Sequence, residues 1–214
     1  MLSQKELYII VPSLIDTINS NREYLSDIDG QIGDGDHGIN MSKGFSICSE
    51  RLDPVEDDLS AALQKLADVL MMEIGGSMGP LYGMFFEGMA SACKDNEFIT
   101  LQIFAEMIQQ GLNGIEETGD AKKGDKTLLD SLIPAKDSLL ISIENDEEFE
   151  AALLKFKIAA EEGKESTREM VAKVGRASRL GERSRGVLDP GATSCNLILQ
   201  TIADTILTAM GSQN

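Results

Sequence analysis

The sequence predicts an all-α protein, one domain over 1–214 built as a bundle of eight amphipathic helices. Three observations predict it. Apolar residues recur at helical spacing along most of the chain, strand-like alternation is nearly absent, and glycines gather where one periodic stretch gives way to the next.

Taken in order, Ser3-Gln-Lys-Glu6 spells a capping box and opens a helix to about Asn21, with Pro12 as an expected kink. A second helix fits 37–52. Asp57-Asp58 places negative charge at the start of a third, which runs to Ile74 with Leu59, Leu63, Leu66 and Leu70 on one face. Further helices fit 78–94, 100–118, 127–143 and 146–175. The last, 190–211, begins with Asp189 as N-cap and Pro190 at its first position, and buries Leu197, Ile198, Ile202, Ile206 and Met210. Glycines concentrate at 30–44, 75–88, 111–124 and 175–191. If successive helices alternate in direction, such junctions can converge on one rim and form a ligand site.

Composition narrows the function. Hydrophobic residues make up 42% and charged residues 26%, ordinary for a soluble globular chain, but the net charge is −17. That balance argues against nucleic acid and against an anionic membrane as partners. An anionic substrate is repelled too, unless a metal or clustered arginine reverses the local field. The N-terminus lacks the features of a signal peptide and no stretch reaches membrane-spanning length, so a cytoplasmic protein is expected. Cys48, Cys93 and Cys195 are far apart and read as buried free thiols.

The densest chemistry lies in Asp29-Gly-Gln-Ile-Gly-Asp34-Gly-Asp36-His37-Gly-Ile-Asn40. Carboxylates are hard ligands for magnesium or calcium, and Gly30, Gly33 and Gly35 let a loop fold Asp29, Asp34 and Asp36 inward. An EF-hand does not fit: the twelfth position from Asp34 is Phe45, and the sixth from Asp27 is Ile32. Magnesium, which completes its shell with water and phosphate, suits three acids better. Spacing alone leaves open a solvated acidic turn that caps the next helix. Gly33-x-Gly35-x-x-Gly38 also imitates a dinucleotide fingerprint, but no hydrophobic strand precedes it and its aspartates would repel a pyrophosphate. No Walker motif is present, since Gly163-Lys164 is followed by Glu165.

Gly75-Gly76-Ser77-Met78-Gly79-Pro80 offers backbone N–H groups and a hydroxyl at a helix start, as a phosphate cradle or a plain turn. Gly124-Asp125-Lys126-Thr127 offers a cation and a hydroxyl, or simply a capped helix start. Arg176, Arg179, Arg183 and Arg185 fall within ten residues of an otherwise acidic chain, and guanidinium forks bind phosphate oxygens. A solvated basic helix end is the alternative. His37, the single histidine, stands beside Asp36 and reads as a nucleotide contact rather than a metal ligand.

Five stretches in this order resemble the L subunit of dihydroxyacetone kinases over essentially the whole chain. They are Asp29 with Ile32–Met41, Gly75–Gly83, Gly124–Thr127, Gly175–Ser178 with Leu180–Ser184, and Asp189–Ser194. The resemblance implies a closed barrel of eight antiparallel amphipathic helices, with ADP or ATP and two magnesium ions at one rim. It assigns metal ligation to Asp29, Asp34 and Asp36. It assigns nucleotide contacts to His37, Gly38, Ile39, Asn40, Ser77, Met78, Gly119, Leu128, Arg176, Asp189, Pro190 and Gly191. Arg176 and the three aspartates are its catalytic set. Met78 and Leu128 stand where the family carries a small residue and a methionine.

A separate chain of this kind is similar to the phosphotransferase-system type. There a K subunit holds the ketose and an M subunit rephosphorylates ADP that stays bound, so K and M subunits are the implied partners. Two other functions use the same residues: a magnesium-dependent phosphohydrolase, and a non-catalytic regulator that senses nucleotide.

Overall fold

A computed structural model describes residues 1–212, and helices make up almost all of its regular structure. The predicted first helix is divided into α1 (Gln4–Leu7) and α2 (Ile10–Ser20). Ser3 caps α1 through the expected box, with Ser3 and Glu6 each bonding the other's backbone. Pro12 breaks nothing. It sits in the first turn of α2, where its missing N–H has no intrahelical partner to lose.

The next element is one the periodicity reading overlooked. Arg22–Ile32 forms α3, with Leu25, Ile28 and Ile32 buried along one face. The acidic segment is therefore no continuous loop: Asp29 rides on the last turn of α3, and only 33–36 link it to α4 (His37–Ser49). The six elements α4, α5 (Leu59–Glu73), α6 (Met78–Cys93), α7 (Leu101–Thr118), α8 (Leu129–Glu144) and α10 (Pro190–Gly211) begin and end close to their predicted bounds. Asp58, Thr100 and Asp189 cap α5, α7 and α10 by accepting a backbone N–H in the first turn.

A larger departure follows α9 (Phe149–Ser166), which stops well before the predicted 175. The chain then runs to 188 as a strap that contains only two 3-10 segments, Thr167–Glu169 and Arg176–Ser184. Three left-handed glycines, Gly175 (φ 68°), Gly181 (φ 54°) and Gly186 (φ 91°), keep it from continuing as a helix. Two-residue strands, β1 (Leu2–Ser3) and β2 (Phe98–Ile99), pair antiparallel and tie the N-terminus to the approach of α7.

Packing neighbours run in sequence: α2 on α4, α4 on α5, α5 on α6, α6 on α7, α7 on α8, α8 on α9 and α9 on α10. α10 packs on α2 again, so the order returns to its start. α6 and α7 approach closely, since a Cβ on Gly88 would collide with Gln110 O and one on Gly111 with the Phe85 ring. Inside lies one continuous apolar cluster that includes Phe45, Phe85, Phe86, Phe104 and Phe156. Cys48, Cys93 and Cys195 are buried free thiols, as expected. Among the described residues, no helix is long and apolar enough to cross a membrane.

Candidate functional site

The acidic segment is shaped by the two helices that flank it. α3 ends when Gly33 takes a non-helical backbone, Gly35 turns the chain with φ 77°, and α4 starts at His37. This brings one carboxylate oxygen from each of Asp29, Asp34 and Asp36 within 4.8 Å of the others. Protein donors claim little of this trio. The His37 N–H donates to Asp29 Oδ2 at 3.3 Å, Asp36 makes no capping bond to α4, and Arg176 forms an ion pair with Asp34. Gly33 is required for the shape, because a Cβ there would collide with Asp29 Oδ1. Three convergent, half-exposed hard oxygen ligands suit a small divalent cation.

The trio borders a cavity of about 620 Å³. Gly75, Gly76, Ser77 and Met78 line its next side, where α6 begins without any side-chain bond from Ser77 to its first turn. α4 and α6 thus both begin here with no bond from their N-cap side chains, and first-turn amides of this kind attract anions. Met78, Leu81, Ile115, Ala121 and Leu128 add apolar side chains to the lining. Arg176, with Gly175 before it, closes the side facing the acids, its Nη1 lying 4.0 Å from Asp36 Oδ2. Carboxylates, unbonded helix starts and apolar side chains on one cavity suit a molecule that carries both phosphates and an apolar ring.

A buried hydrogen-bond network supports the floor. His37 Nε2 is 2.8 Å from Ser194 Oγ, and Ser194 Oγ is 2.6 Å from the Tyr82 hydroxyl. The Tyr82 and Ser194 hydroxyls each lie 3.1 Å from the Gly191 carbonyl, and with one proton apiece one of them donates to that carbonyl while the other donates within the Tyr82–Ser194 pair. Burial pulls the His37 pKa down to about 4, and nearby Asp29 only partly opposes it, so the imidazole is neutral near pH 7. Asp189 is fully buried and accepts the Ala192 N–H at 2.7 Å. Burial raises its carboxyl pKa to about 7, against that bond and the nearby Lys126 charge.

Most residues singled out from sequence meet at this cavity. Asp29, Asp34, Asp36, His37, Asn40, Ser77, Met78, Gly119, Leu128, Arg176, Asp189, Pro190 and Gly191 all line it. Gly38 and Ile39 do not. Gly38 is pressed against α3, where a Cβ would collide with Arg22 O, and Ile39 faces outward at 47% exposure. The arginine cluster is not one site. Arg179 and Arg183 are exposed away from the cavity lining, and Arg185 pairs with Glu182, leaving Arg176 as its contribution.

Lys126 lines the cavity but directs its ammonium into the strap rather than the open space. The segment also leads into α8: Leu128, its N-cap, makes no side-chain cap bond, but Thr127 Oγ1 accepts the Leu129 N–H at 3.2 Å and the Asp130 carboxylate accepts the Thr127 N–H at 2.8 Å. Sequence reasoning missed Tyr82, Leu81 and Ile115. Tyr82 stood inside the Gly75–Gly83 motif and could have been found there, whereas Ile115 carries only the periodicity of any core residue.

Comparison with known proteins places these features in a family. The DAK2 domain matches residues 31–204. The PEP-dependent dihydroxyacetone kinase ADP-binding subunit DhaL of Escherichia coli is 40% identical over 189 residues, covering 88% of this chain and 90% of that one. The PTS-dependent dihydroxyacetone kinase ADP-binding subunit DhaL of Lactococcus lactis is 35% identical over 190 residues, covering 88% and 91%. The crystal structure of the dihydroxyacetone kinase from C. freundii in complex with AMP-PNP and Mg2+ shares the fold, with TM-score 0.67 at 23% identity. That alignment covers 92% of this chain and 33% of the kinase, so the chain spans about a third of its length. By the span of the domain match and by these identities, this chain belongs to the DAK2 domain family.

Proposed function

We propose that this protein is the nucleotide-binding, phosphoryl-transferring subunit of a dihydroxyacetone kinase. One observation carries the reading: Asp29, Asp34 and Asp36 converge on the same cavity that Arg176 and the α6 N-terminus border. Similarity to ADP-binding subunits over nearly their whole length supports it. The chain acts as one domain over 1–214 in the cytoplasm. Its donor is a phosphorylated M-type phosphotransferase-system subunit that rephosphorylates bound ADP, and its acceptor is dihydroxyacetone or a similar ketose held by a K subunit.

Two magnesium ions shared by Asp29, Asp34 and Asp36 suit this role. When bound, magnesium neutralises phosphate charge that this acidic protein would otherwise repel. The protein's own groups do the rest. First-turn amides of α4 and α6 would hold phosphate oxygens, and apolar lining such as Met78 and Leu128 would pack against the base. Arg176 turns from Asp34 to the transferring phosphoryl group, where a guanidinium fork offsets developing charge. The neutral His37 is held at Nε2 by Ser194, which fixes its ring and suits it to hydrogen bonding rather than to a phosphohistidine.

Calorimetry of the purified protein with ADP, with and without magnesium, tests the reading. Tight binding only with magnesium is expected. A folded, magnesium-saturated protein that binds no adenine nucleotide overturns it, and steady hydrolysis of phosphate esters without any partner marks a phosphohydrolase instead.

A further inference from the structure

The strap that presents Arg176 is fastened by one buried ammonium group. Lys126, 1% exposed, donates to the carbonyl oxygens of Ser184 and Val187, each at 2.6 Å, and of Met170 at 3.2 Å. An ammonium has three hydrogens, so every donor it owns is engaged. The lysine adopts φ 63°, a conformation side chains avoid, which marks the position as held by its contacts.

Those carbonyls bracket Arg176, with Met170 before it and Ser184 and Val187 after. Between them the strap is also tied at Lys173, whose N–H donates to Asp125 O at 3.1 Å and whose exposed ammonium pairs with the Asp125 carboxylate at 3.1 Å, next to Lys126 in sequence. A Cβ on Gly175 or Gly181 would meet no heavy atom within 4 Å, and Arg176 itself is 60% exposed. At the base, Ser184 Oγ accepts the Ala172 N–H at 2.9 Å and the Gly186 N–H donates to Arg168 O at 2.7 Å.

We propose that Lys126 is a positioning residue: it clamps both ends of the strap so that Arg176 faces the acidic trio, and it acts on nucleotide only through that arginine. The proposal rests on the nucleotide reading above. It removes Lys126 from the set of direct phosphate contacts that its place beside Thr127 suggests.

Lys126→Met keeps the stem and removes the three donors. Amide hydrogen exchange in 168–188 should become about tenfold faster, while that of α5 and α6 stays unchanged. Affinity for magnesium-ADP should fall about tenfold in the wild-type background but less than about twofold beside Arg176→Ala, the sign that one residue works through the other. Unchanged exchange in the strap overturns the proposal, as does equal acceleration of α5 and α6. An equal affinity loss in both backgrounds also overturns it, because Lys126 would then touch the ligand directly.

Ser184→Ala provides a second arm, since it cuts the bridge to Ala172 and leaves the lysine in place. It should speed exchange in the same segment and weaken magnesium-ADP only when Arg176 is present. A loosened strap with undiminished affinity breaks the link to Arg176. Should the wild-type protein bind no magnesium-ADP, the nucleotide reading fails while the exchange measurements still decide the clamp.

Discussion

Asp29, Asp34 and Asp36 lie within eight residues and sit on or between α3 and α4, whereas Arg176 comes from a strap with no α-helix from 167 to 188. The acidic wall is anchored by apolar burial, with Leu25, Ile28 and Ile32 beneath it at 0%, 6% and 3% exposure. The basic wall is anchored by hydrogen bonds to carbonyls, chiefly those of Lys126. Burial is broad and insensitive to small movements, while a few directional bonds open together. On the function proposed above, one wall would be a fixed receptor for cations, and the other an arm whose guanidinium would leave Asp34 for a phosphate.

The comparison breaks first at Asp34. Asp34→Asn should weaken magnesium and ADP binding together, the latter at least about a hundredfold or roughly 3 kcal/mol, by calorimetry. Unchanged ADP affinity would mean that no metal joins the acidic wall to the phosphates. Next, Ile28→Ala removes the apolar support of α3 and should cost about 2.5 kcal/mol in urea unfolding. A loss well below that would show the acidic wall to be no better rooted than the strap.

Asp189 sharpens the picture where the strap enters α10. Its folded pKa of about 7 is raised above the ordinary carboxylate value, so the folded state keeps a proton there that the unfolded chain releases near pH 4. That contribution is complete below the unfolded pKa and is lost as pH rises through about 7. Asp189→Asn keeps the helix cap and removes the charge. Relative to wild type it should therefore gain about 2 kcal/mol between pH 5 and pH 8, read from urea midpoints at both values. An unchanged difference would show that Asp189 is ionised throughout.

Arg176→Ala should lower magnesium-ADP affinity about tenfold and leave magnesium affinity intact or improved, since the cation that shares Asp34 is gone. Smallest of all, Arg185→Ala should leave the melting temperature within about 1 °C, because its pairing with Glu182 and its bond to the Glu169 carbonyl are both solvent-exposed. A large shift there would mean that the strap depends on surface charge rather than on Lys126.

Legibility in the sequence followed the same divide. Helices with continuous periodicity, such as α5, α7 and α10, were located within a residue or two, α5 and α10 with the help of Asp57-Asp58 and Asp189, while the Thr100 cap of α7 came to light only in the structure. α3 was missed because its apolar residues are diluted by Ser26, Asp27, Asp29 and Gly30, which read as a loop. The end of α9 was overrun because Gly163 and Lys164 do not interrupt a helix, and the breakers Gly175 and Gly181 come later than the true end at Ser166. Lys126 stayed open between a phosphate cation and part of a capped helix start, since nothing nearby in sequence discloses the carbonyls of Met170, Ser184 and Val187.

By itself, then, the sequence determined the helical class, the caps that start several helices, the acidic trio with its glycines, and the resemblance that gathers five distant motifs. These depend on residues within a turn or two of one another, where spacing and geometry are nearly the same thing. The resemblance singled out Arg176 as well; only the tertiary structure decided that Arg179, Arg183 and Arg185 stay away from the acids, that Gly38 and Ile39 stay out of the cavity, and that Lys126 serves the strap. Each of those depends on where chain segments many residues apart come to rest, which packing and the satisfaction of buried polar groups settle and local pattern does not.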